Sequence, residues 1–210
     1  MGDEYHRYFG RHARRLGVRV VSDQLVPARP GDLLVDMFET VLAAKPDCFA
    51  YFGYGTEGSC FMHVAREVLG TRIPKLLGAI FMGCSTPDYG YGYTLKDIEG
   101  WIGVDQFDER NPATKAFLDR YEKRYGDRPR HAYCTQGFDW GTCLAEAMSM
   151  MRPAAPEALR DALERVRCLP AVTGSVNTTI IFAPYDHRAY KGDKWVSLSK
   201  CENGVVIKVD

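Results

Sequence analysis

The chain has 210 residues and a mass of 23.6 kDa, enough for one large domain or two small ones around a buried core. Its 27 basic and 27 acidic residues cancel. This balance counts against a nucleic-acid partner or a polybasic membrane-surface protein, because both need surplus positive charge. No apolar run reaches the roughly 18 residues that span a bilayer. The polar N-terminus lacks the apolar core of a signal peptide, so we expect a soluble protein, cytoplasmic if expressed as written.

The first half of the chain alternates between helical and strand patterns. Helices that alternate with short apolar strands predict an α/β fold, with a parallel sheet covered by helices on both faces. The predicted order is a helix ending at Gly17, a strand over 18–26, a helix capped by Asp32, a strand in 47–53, a helix ending before Gly70, a strand in 73–81, a short helix over 94–100 and a strand in 100–107.

The pattern changes near Asn111, which caps a helix that begins with Pro112 and ends at Gly126. Two more helices are predicted at roughly 131–151 and 156–167. Short strands follow from Thr173 onward, and the last two are joined at Glu202-Asn203-Gly204, a turn typical of a hairpin. The chain opens on a helix where the alternation leads us to expect a strand, so we expect a piece of something longer.

Seven cysteines are many for this length, but no two form the C-x-x-C pair of a structural zinc site. Cys48 and Cys143 lie within apolar runs, where a thiol usually behaves as a small buried hydrophobic group. We therefore expect buried thiols rather than a disulfide framework or a catalytic cysteine. The number of cysteines alone does not show whether the protein works in an oxidising compartment.

Gly53, Gly55 and Gly58 match G-x-G-x-x-G at the point where a predicted strand passes into a helix. A dinucleotide-binding loop has this pattern, but it also requires an acid in the following strand, and KLLGAIFMG contains none. A second interpretation is a small-ligand site at the carboxyl edge of a parallel sheet, with backbone N–H groups for an anion and the Tyr54 ring over the ligand. The third is a tight turn whose glycines only satisfy backbone geometry.

The sequence shows no catalytic motif. It contains no G-x-S-x-G elbow, no H-E-x-x-H and no G-x-x-x-x-G-K-[ST] phosphate loop. Its five histidines do not have the spacing of metal ligands. We therefore expect no enzymatic activity, no cofactor and no metal.

Five segments in order resemble the type I periplasmic substrate-binding proteins of ABC transporters, the Leu/Ile/Val-binding family. They are MGDEYHRYFGRHARRLGVRVV, PDCFAYFGYGTEG, NPATKAFLDRYEKRYGDRP, YCTQGFDWGTCLAEAM and an ending that runs from LRDALERV through PAVTGSV to FAPYDHRAY. Each segment is moderately specific, whereas their order and spacing together are strongly so. The resemblance covers nearly the whole chain.

This resemblance implies a periplasmic protein with two Rossmann-like α/β lobes, each a parallel sheet with flanking helices, joined by three crossovers and closing on a small solute. Residues 1–110 and 173–210 would form the C-terminal lobe without its first strand. Residues 111–172 would supply helices to an N-terminal lobe that is otherwise absent. The two-lobe architecture would then be incomplete, as expected from a truncated gene or a misplaced start codon.

The resemblance also implies which residues contact the solute. Tyr54 matches an aromatic residue that contacts ligand from the C-terminal lobe, and beside it at the helix start lie Gly55, Thr56 and Glu57. Ile80 stands where amino-acid-binding members place an acid for the ligand ammonium, and Phe81 follows it. An ammonium buried against isoleucine would lack its charge partner. We therefore expect a carboxylate or neutral solute with an apolar, aromatic or amide body in preference to leucine, isoleucine or valine.

The implied function is that of a solute-binding component of a branched-chain-amino-acid-type ABC uptake transporter, with the ABC permease as partner. Two alternatives stay open. One is a dinucleotide-dependent oxidoreductase that uses the loop of Gly53, Gly55 and Gly58. The other is a ligand-sensing domain of the same fold that acts on a regulator.

Overall fold

The protein is described by a computed structural model, which covers residues 2–27, 33–53, 57–71, 73–80, 94–106, 108–129 and 133–209. It divides into two compact units: unit 1 is Met1–Val104 with Ser199–Ile207, and unit 2 is Asp105–Leu198 with Lys208–Asp210. The backbone therefore passes between the units at three points. How residues 1–110, 111–172 and 173–210 belong to the lobes of the resembled family stays a prediction.

Unit 1 combines parallel strands with helices. Strand β1 pairs in parallel with β2, and β2 pairs in parallel with β3. The full sheet has the order β1-β2-β3-β6-β7, which confirms the predicted α/β fold. The elements are α1 (Gly2–Arg15), α2 (Leu33–Ala43), β1 (Phe49–Tyr51), α3 (Glu57–Leu69), β2 (Lys75–Ile80) and β3 (Trp101–Asp105), with β6 (Ser197–Glu202) and β7 (Val205–Val209) joining from the end of the chain.

Aromatic packing holds α2 and α3 against the sheet of unit 1. The ring of Phe38 in α2 lies 5.7 Å from that of Phe49 in β1, and the ring of Phe61 in α3 lies 3.8 Å from that of Tyr51, between centroids. Burial of such a side chain stabilises the fold by about 1.5–3 kcal/mol relative to exposure.

Two segments of unit 1 differ from the prediction. Residues 18–27 form neither helix nor strand, and Val18, Val20 and Leu25 are exposed. A strand forms only when its backbone bonds to a neighbour, and in the described part of the chain no strand pairs with this segment. Residues 95–100, within the predicted short helix, form turns.

The turn between β6 and β7 is the predicted hairpin. Asn203 and Gly204 both have positive φ, 54° and 70°, as a two-residue type I′ turn requires. The Glu99 carboxylate accepts hydrogen bonds from both of their backbone N–H groups, at 2.7 and 3.0 Å. The bonds from Gly204 and then Asn203 lower the pKa of Glu99, so the carboxylate stays ionised and holds the turn.

Unit 2 is mainly helical. Asn111 caps the first of its helices by accepting a hydrogen bond from the N–H of Ala113 at 3.0 Å, and Gly126 ends it with φ 78°. Both were predicted. The elements are α4 (Pro112–Tyr125), α5 (Tyr133–Met150) and α6 (Pro156–Leu163), followed by β4 (Leu169–Pro170), which pairs antiparallel with β5 (Thr179–Ile180).

Buried polar side chains hold residues 171–175, the 171–175 loop. The Asp139 carboxylate of α5 accepts hydrogen bonds from the N–H groups of Val172 and Thr173 at 2.8 and 3.0 Å, and from the Tyr190 hydroxyl at 2.9 Å. Burial first, and then the Asp139 charge, raises the pKa of Tyr190, so its hydroxyl stays a donor. Asn111 Nδ2 donates to three carbonyls of the loop at 3.2–3.3 Å.

The six described cysteines are free thiols. Cys143 is buried as expected, and burial together with the nearby Asp139 charge raises its pKa to about 11. Cys48, Cys60 and Cys168 are exposed, so the expectation of burial is wrong for these three. Cys48 directly precedes β1, where an apolar neighbourhood in sequence does not put a side chain inside.

Candidate functional site

The candidate site lies where β1 and β2 end. These strands run in parallel, with Tyr51 opposite Leu77, so their carboxyl ends share one edge of the sheet. Open α/β sheets bind ligands at this edge. Glu57 is the first residue of α3, directly after the β1 loop, and Ile80 is the last residue of β2.

The other predicted site residues lie outside the described residues: Tyr54, Gly55, Thr56 and Phe81. Only the backbone of Glu57 and Ile80 is described, and it places both in the elements that end or begin at this edge. A ligand-binding role for the six residues stays a prediction.

An aromatic cluster that the sequence analysis did not single out stands beside this edge. Phe52, directly after β1, stacks on Tyr5 of α1 at 5.6 Å between centroids and meets the Phe9 ring at 4.9 Å with the planes tilted by 50°. A Cβ atom added at Gly78 in β2 would overlap the Phe52 ring. The ring therefore lies directly over the backbone of β2, two residues before its end.

One sequence signal points to the cluster: Tyr5 and Phe9 are four residues apart and so share one face of α1. That spacing does not show which strand the two rings meet. Phe52 is half-buried and belongs to no strand. It supplies an apolar aromatic surface next to the loop that carries Tyr54.

Gly53 has a steric reason to be glycine that is independent of nucleotide binding. Tyr51 turns its ring onto Phe61, with centroids 3.8 Å apart and planes at 17°. A Cβ atom added at Gly53 would overlap the Tyr51 ring and hydroxyl. The first glycine of the G-x-G-x-x-G pattern is thus explained by local packing alone.

The main electrostatic feature of the site is the start of α3. The first N–H groups of a helix have no partner inside it, and the helix dipole adds partial positive charge there. Since α3 begins directly after the β1 loop, these groups favour an anionic ligand at that end of the strands.

A charge cluster elsewhere in unit 1 is structural. Asp97 accepts hydrogen bonds from Thr94 N–H and hydroxyl at 2.8 and 2.9 Å, and pairs with Arg66 at 2.6 Å. Burial alone would raise the pKa of Asp97, but the Thr94 hydrogen bonds and the Arg66 charge outweigh it and leave the pKa lowered. Arg66 lies nine residues beyond Glu57, about 14 Å along the helix, and is remote from the candidate site.

An acid at the end of β3 was also missed as a site feature. Asp105 follows Val104, the residue paired with Ile80 at the end of β2. It is buried and forms an ion pair with Lys208 at 2.7 Å, while its other oxygen accepts from the Gln106 N–H at 2.7 Å. Its negative charge is already neutralised, so it is a poor partner for a ligand ammonium.

The described residues were compared with two further kinds of feature, a metal site and a membrane-spanning helix. Within the described ranges, no group of three or more His, Cys, Asp or Glu side chains could hold a metal ion. Among the helices described, none is both long and apolar enough to cross a membrane.

Comparison with known proteins identifies the fold. Residues 1–193 match the family model for periplasmic binding protein. The structure is similar to an ABC transporter substrate-binding protein from Desulfitobacterium hafniense and to the leucine-binding protein LivK from Thermotoga maritima. Each comparison has a TM-score of 0.74 and 22% identity, and they cover 99% and 98% of this chain but 56% and 55% of those chains.

An extracellular ligand-binding receptor from Rhodopseudomonas palustris is similar at a TM-score of 0.71 and 21% identity, over 99% of this chain and 59% of that one. No curated protein sequence matches significantly. The chain thus spans little more than half the length of these solved proteins. It belongs to the periplasmic binding protein family and has part of the type I fold of that family.

Proposed function

We propose that this chain is a solute-binding component of an ABC uptake transporter of the branched-chain-amino-acid type. The observation that carries the proposal is the family match over residues 1–193, because it includes every element that builds the candidate site. The similar proteins from Desulfitobacterium and Thermotoga are described as a substrate-binding protein and a leucine-binding protein.

The solute would bind at the carboxyl edge of β1 and β2. In this proposal Tyr54, Gly55, Thr56 and Glu57 contact it from the β1 loop, and Ile80 and Phe81 from the end of β2. The ring of Phe52 lies beside this loop and adds apolar surface. The N-terminus of α3 would receive a carboxylate or another electron-rich group.

The proposed solute is a carboxylate or a neutral amide with an apolar or aromatic body. Ile80 brings no charge for an ammonium group, and the nearby Asp105 is engaged by Lys208 at 2.7 Å. Burying an unpaired ammonium costs several kcal/mol. Leucine, isoleucine and valine are therefore expected to bind more weakly than a ligand without that group.

The remaining parts of the proposal concern the whole protein. Residues 111–172 would belong to the N-terminal lobe of the family and the rest to its C-terminal lobe, so the chain would be a fragment. The protein would deliver its solute to the transporter permease, and it would act in the periplasm. It would bind the solute without catalysing a reaction.

Calorimetric titration tests the ligand class. Leucine, isoleucine and valine are compared with benzoate-like acids and short amides, and NADH is included because of the glycine pattern. We expect saturable binding of an acid or amide, abolished or weakened by Tyr54→Ala. Tyr185→Ala is the matched control, because Tyr185 is almost fully exposed and belongs to unit 2. Tight binding of leucine alone would refute the ligand class, and saturable NADH binding would favour the oxidoreductase.

A further inference from the structure

The turn between β6 and β7 contains an asparagine that is followed by glycine. The chain has three asparagines, Asn111, Asn177 and Asn203, and only Asn203 precedes a glycine. Because glycine has no side chain, its backbone nitrogen can approach the side-chain carbonyl carbon of the preceding asparagine without a steric clash. Asn203 is therefore the asparagine of this chain whose side chain reacts most easily with the backbone that follows it.

The reaction open to this pair is deamidation, and its nucleophile is the backbone nitrogen of Gly204. This nitrogen gives its proton to hydroxide and attacks Cγ of Asn203, so a C–N bond forms and the bond from Cγ to Nδ2 breaks. The leaving nitrogen takes a proton from water and departs as ammonia, which restores the hydroxide. Water then opens the cyclic imide to aspartate or isoaspartate, with no oxidation or reduction.

The Asn203 side chain is free to react. Asn203 and Gly204 are both exposed, so water and hydroxide reach them. Among the residues that the structure describes, none forms a hydrogen bond with the Asn203 side-chain amide. Any control over the reaction must therefore act on the backbone nitrogen of Gly204.

The Glu99 carboxylate holds that nitrogen. One of its oxygens accepts a hydrogen bond from the N–H of Gly204 at 3.0 Å, and the other accepts from the N–H of Asn203 at 2.7 Å. An ionised acceptor strengthens such a bond and so favours the protonated amide. Once the proton leaves, the negative nitrogen faces a negative carboxylate, and the two charges repel each other. Both effects oppose the first step of the deamidation.

We propose that Asn203 is a deamidation site and that Glu99, by binding the N–H of Gly204, suppresses its modification in the folded protein. Glu99 and Asn203 are 104 residues apart in sequence, so the unfolded chain lacks this protection. Modification of Asn203 then reports that the hairpin has opened. The proposal goes beyond solute binding, and its three residues all belong to unit 1.

The products of the reaction would weaken the hairpin. Aspartate adds a negative charge to the residue whose N–H the Glu99 carboxylate binds, and isoaspartate adds a carbon atom to the backbone of a two-residue turn. The strand before this turn includes Cys201, which is fully buried in the core of unit 1. Protein modified at Asn203 should therefore melt at a lower temperature than the unmodified protein.

Mass spectrometry of the 210-residue protein, kept in mildly alkaline buffer, measures the rate. The peptide with Asn203 gains about 1 Da as ammonia is lost and water is added. The folded wild type should react at least about tenfold more slowly than the same protein in guanidinium chloride, since a hydrogen bond to a charged group is lost. Glu99→Gln, which keeps the shape but not the charge, should raise the folded rate about threefold to tenfold, and Glu99→Ala should raise it further. In guanidinium chloride all variants should react equally.

Glu202→Gln is the matched control. It removes the same charge from the residue next to Asn203, where the Glu202 carboxylate binds Lys200 at 2.8 Å. This variant should deamidate like the wild type, and its Gly204 amide should exchange hydrogen equally slowly. The same amide should exchange faster in Glu99→Gln.

Three results would each overturn the proposal. One is a folded wild type that reacts as fast as the unfolded chain. Another is a Glu99→Gln rate at or below that of the wild type, which would mean that the carboxylate does not protect the amide. The third is an equal rise in Glu202→Gln, which would assign the effect to the general charge of the turn. Since Glu99→Gln nearly preserves the shape of the side chain, the test does not depend on whether Glu99→Ala folds.

Discussion

Replacing Asp139 with asparagine perturbs the polar group that holds the 171–175 loop of unit 2. Its carboxylate is buried and accepts hydrogen bonds from the N–H of Val172, the N–H of Thr173 and the hydroxyl of Tyr190, at 2.8, 3.0 and 2.9 Å. Asparagine has nearly the same shape. The substitution therefore changes hydrogen bonding and charge without opening a cavity.

The cost follows from the count of donors. The asparagine amide keeps one acceptor oxygen, so if that oxygen faces Val172, the amide nitrogen faces the N–H of Thr173. Two buried donors then oppose each other, and an unsatisfied buried donor costs about 1–3 kcal/mol. The remaining bonds also lose their charge assistance. We expect Asp139→Asn to lower the free energy of unfolding by about 2–4 kcal/mol, and Tyr190→Phe, which removes one bond, by about 1 kcal/mol.

Urea unfolding followed by tryptophan fluorescence measures both changes. The matched control is Asp161→Asn, which makes the same chemical change at an exposed aspartate of unit 2. Its pair with Arg160 is a surface ion pair, so the expected change is below about 1 kcal/mol. If Asp139→Asn cost no more than this control, Asp139 would not be the support of the loop, and the reasoning would fail.

Three further changes should be measurable by thermal or acid unfolding. Gly78→Ala should destabilise by about 1–3 kcal/mol, since its methyl group overlaps the Phe52 ring; an unchanged melting temperature would contradict the placement of that ring. Gly10→Ala, in open space on α1, should instead stabilise by about 0.5–1 kcal/mol. Asp97 has a lowered pKa in the folded protein. Its contribution to the free energy of unfolding is therefore complete above the unfolded pKa of about 3.9 and is lost as the pH falls through the folded pKa. Asp97→Asn should therefore flatten the acid limb of the stability profile, and an unchanged limb would show that Arg66 and Thr94 do not stabilise the ionised form.

Local signals in the sequence predicted the elements that carry their own start and stop residues. Asn111 and Gly126 bound α4 as expected, because side-chain capping and positive φ act within a few residues. The dipeptide Asn203-Gly204 correctly predicted the turn between β6 and β7, because both residues adopt the positive φ that this turn needs. Residues 18–26 were predicted wrongly, because β-branched composition favours a strand but cannot provide the neighbour that a strand needs.

The candidate site was predictable only as an edge of the sheet. The strand-loop-helix order located Glu57 and Ile80 next to strand ends, since parallel strands end on one side. The position of Phe52 over Gly78 could not be read from the chain, because it depends on where α1 packs. The ion pair of Asp105 with Lys208 joins residues far apart in sequence, and no local sequence pattern predicts such a contact.

The order of segments in unit 1 has a consequence for how the protein folds during synthesis. Strands β6 and β7 join the sheet beside β3, and Cys201 of β6 is fully buried in the core of unit 1. The backbone of Cys201 also accepts a hydrogen bond from Gly100 at 2.8 Å. On a translating ribosome these strands emerge only after all of residues 106–196. Until then, the nascent sheet of β1, β2 and β3 has an unpaired edge along β3. During that interval chaperones can bind this edge, and it can also pair with a wrong strand.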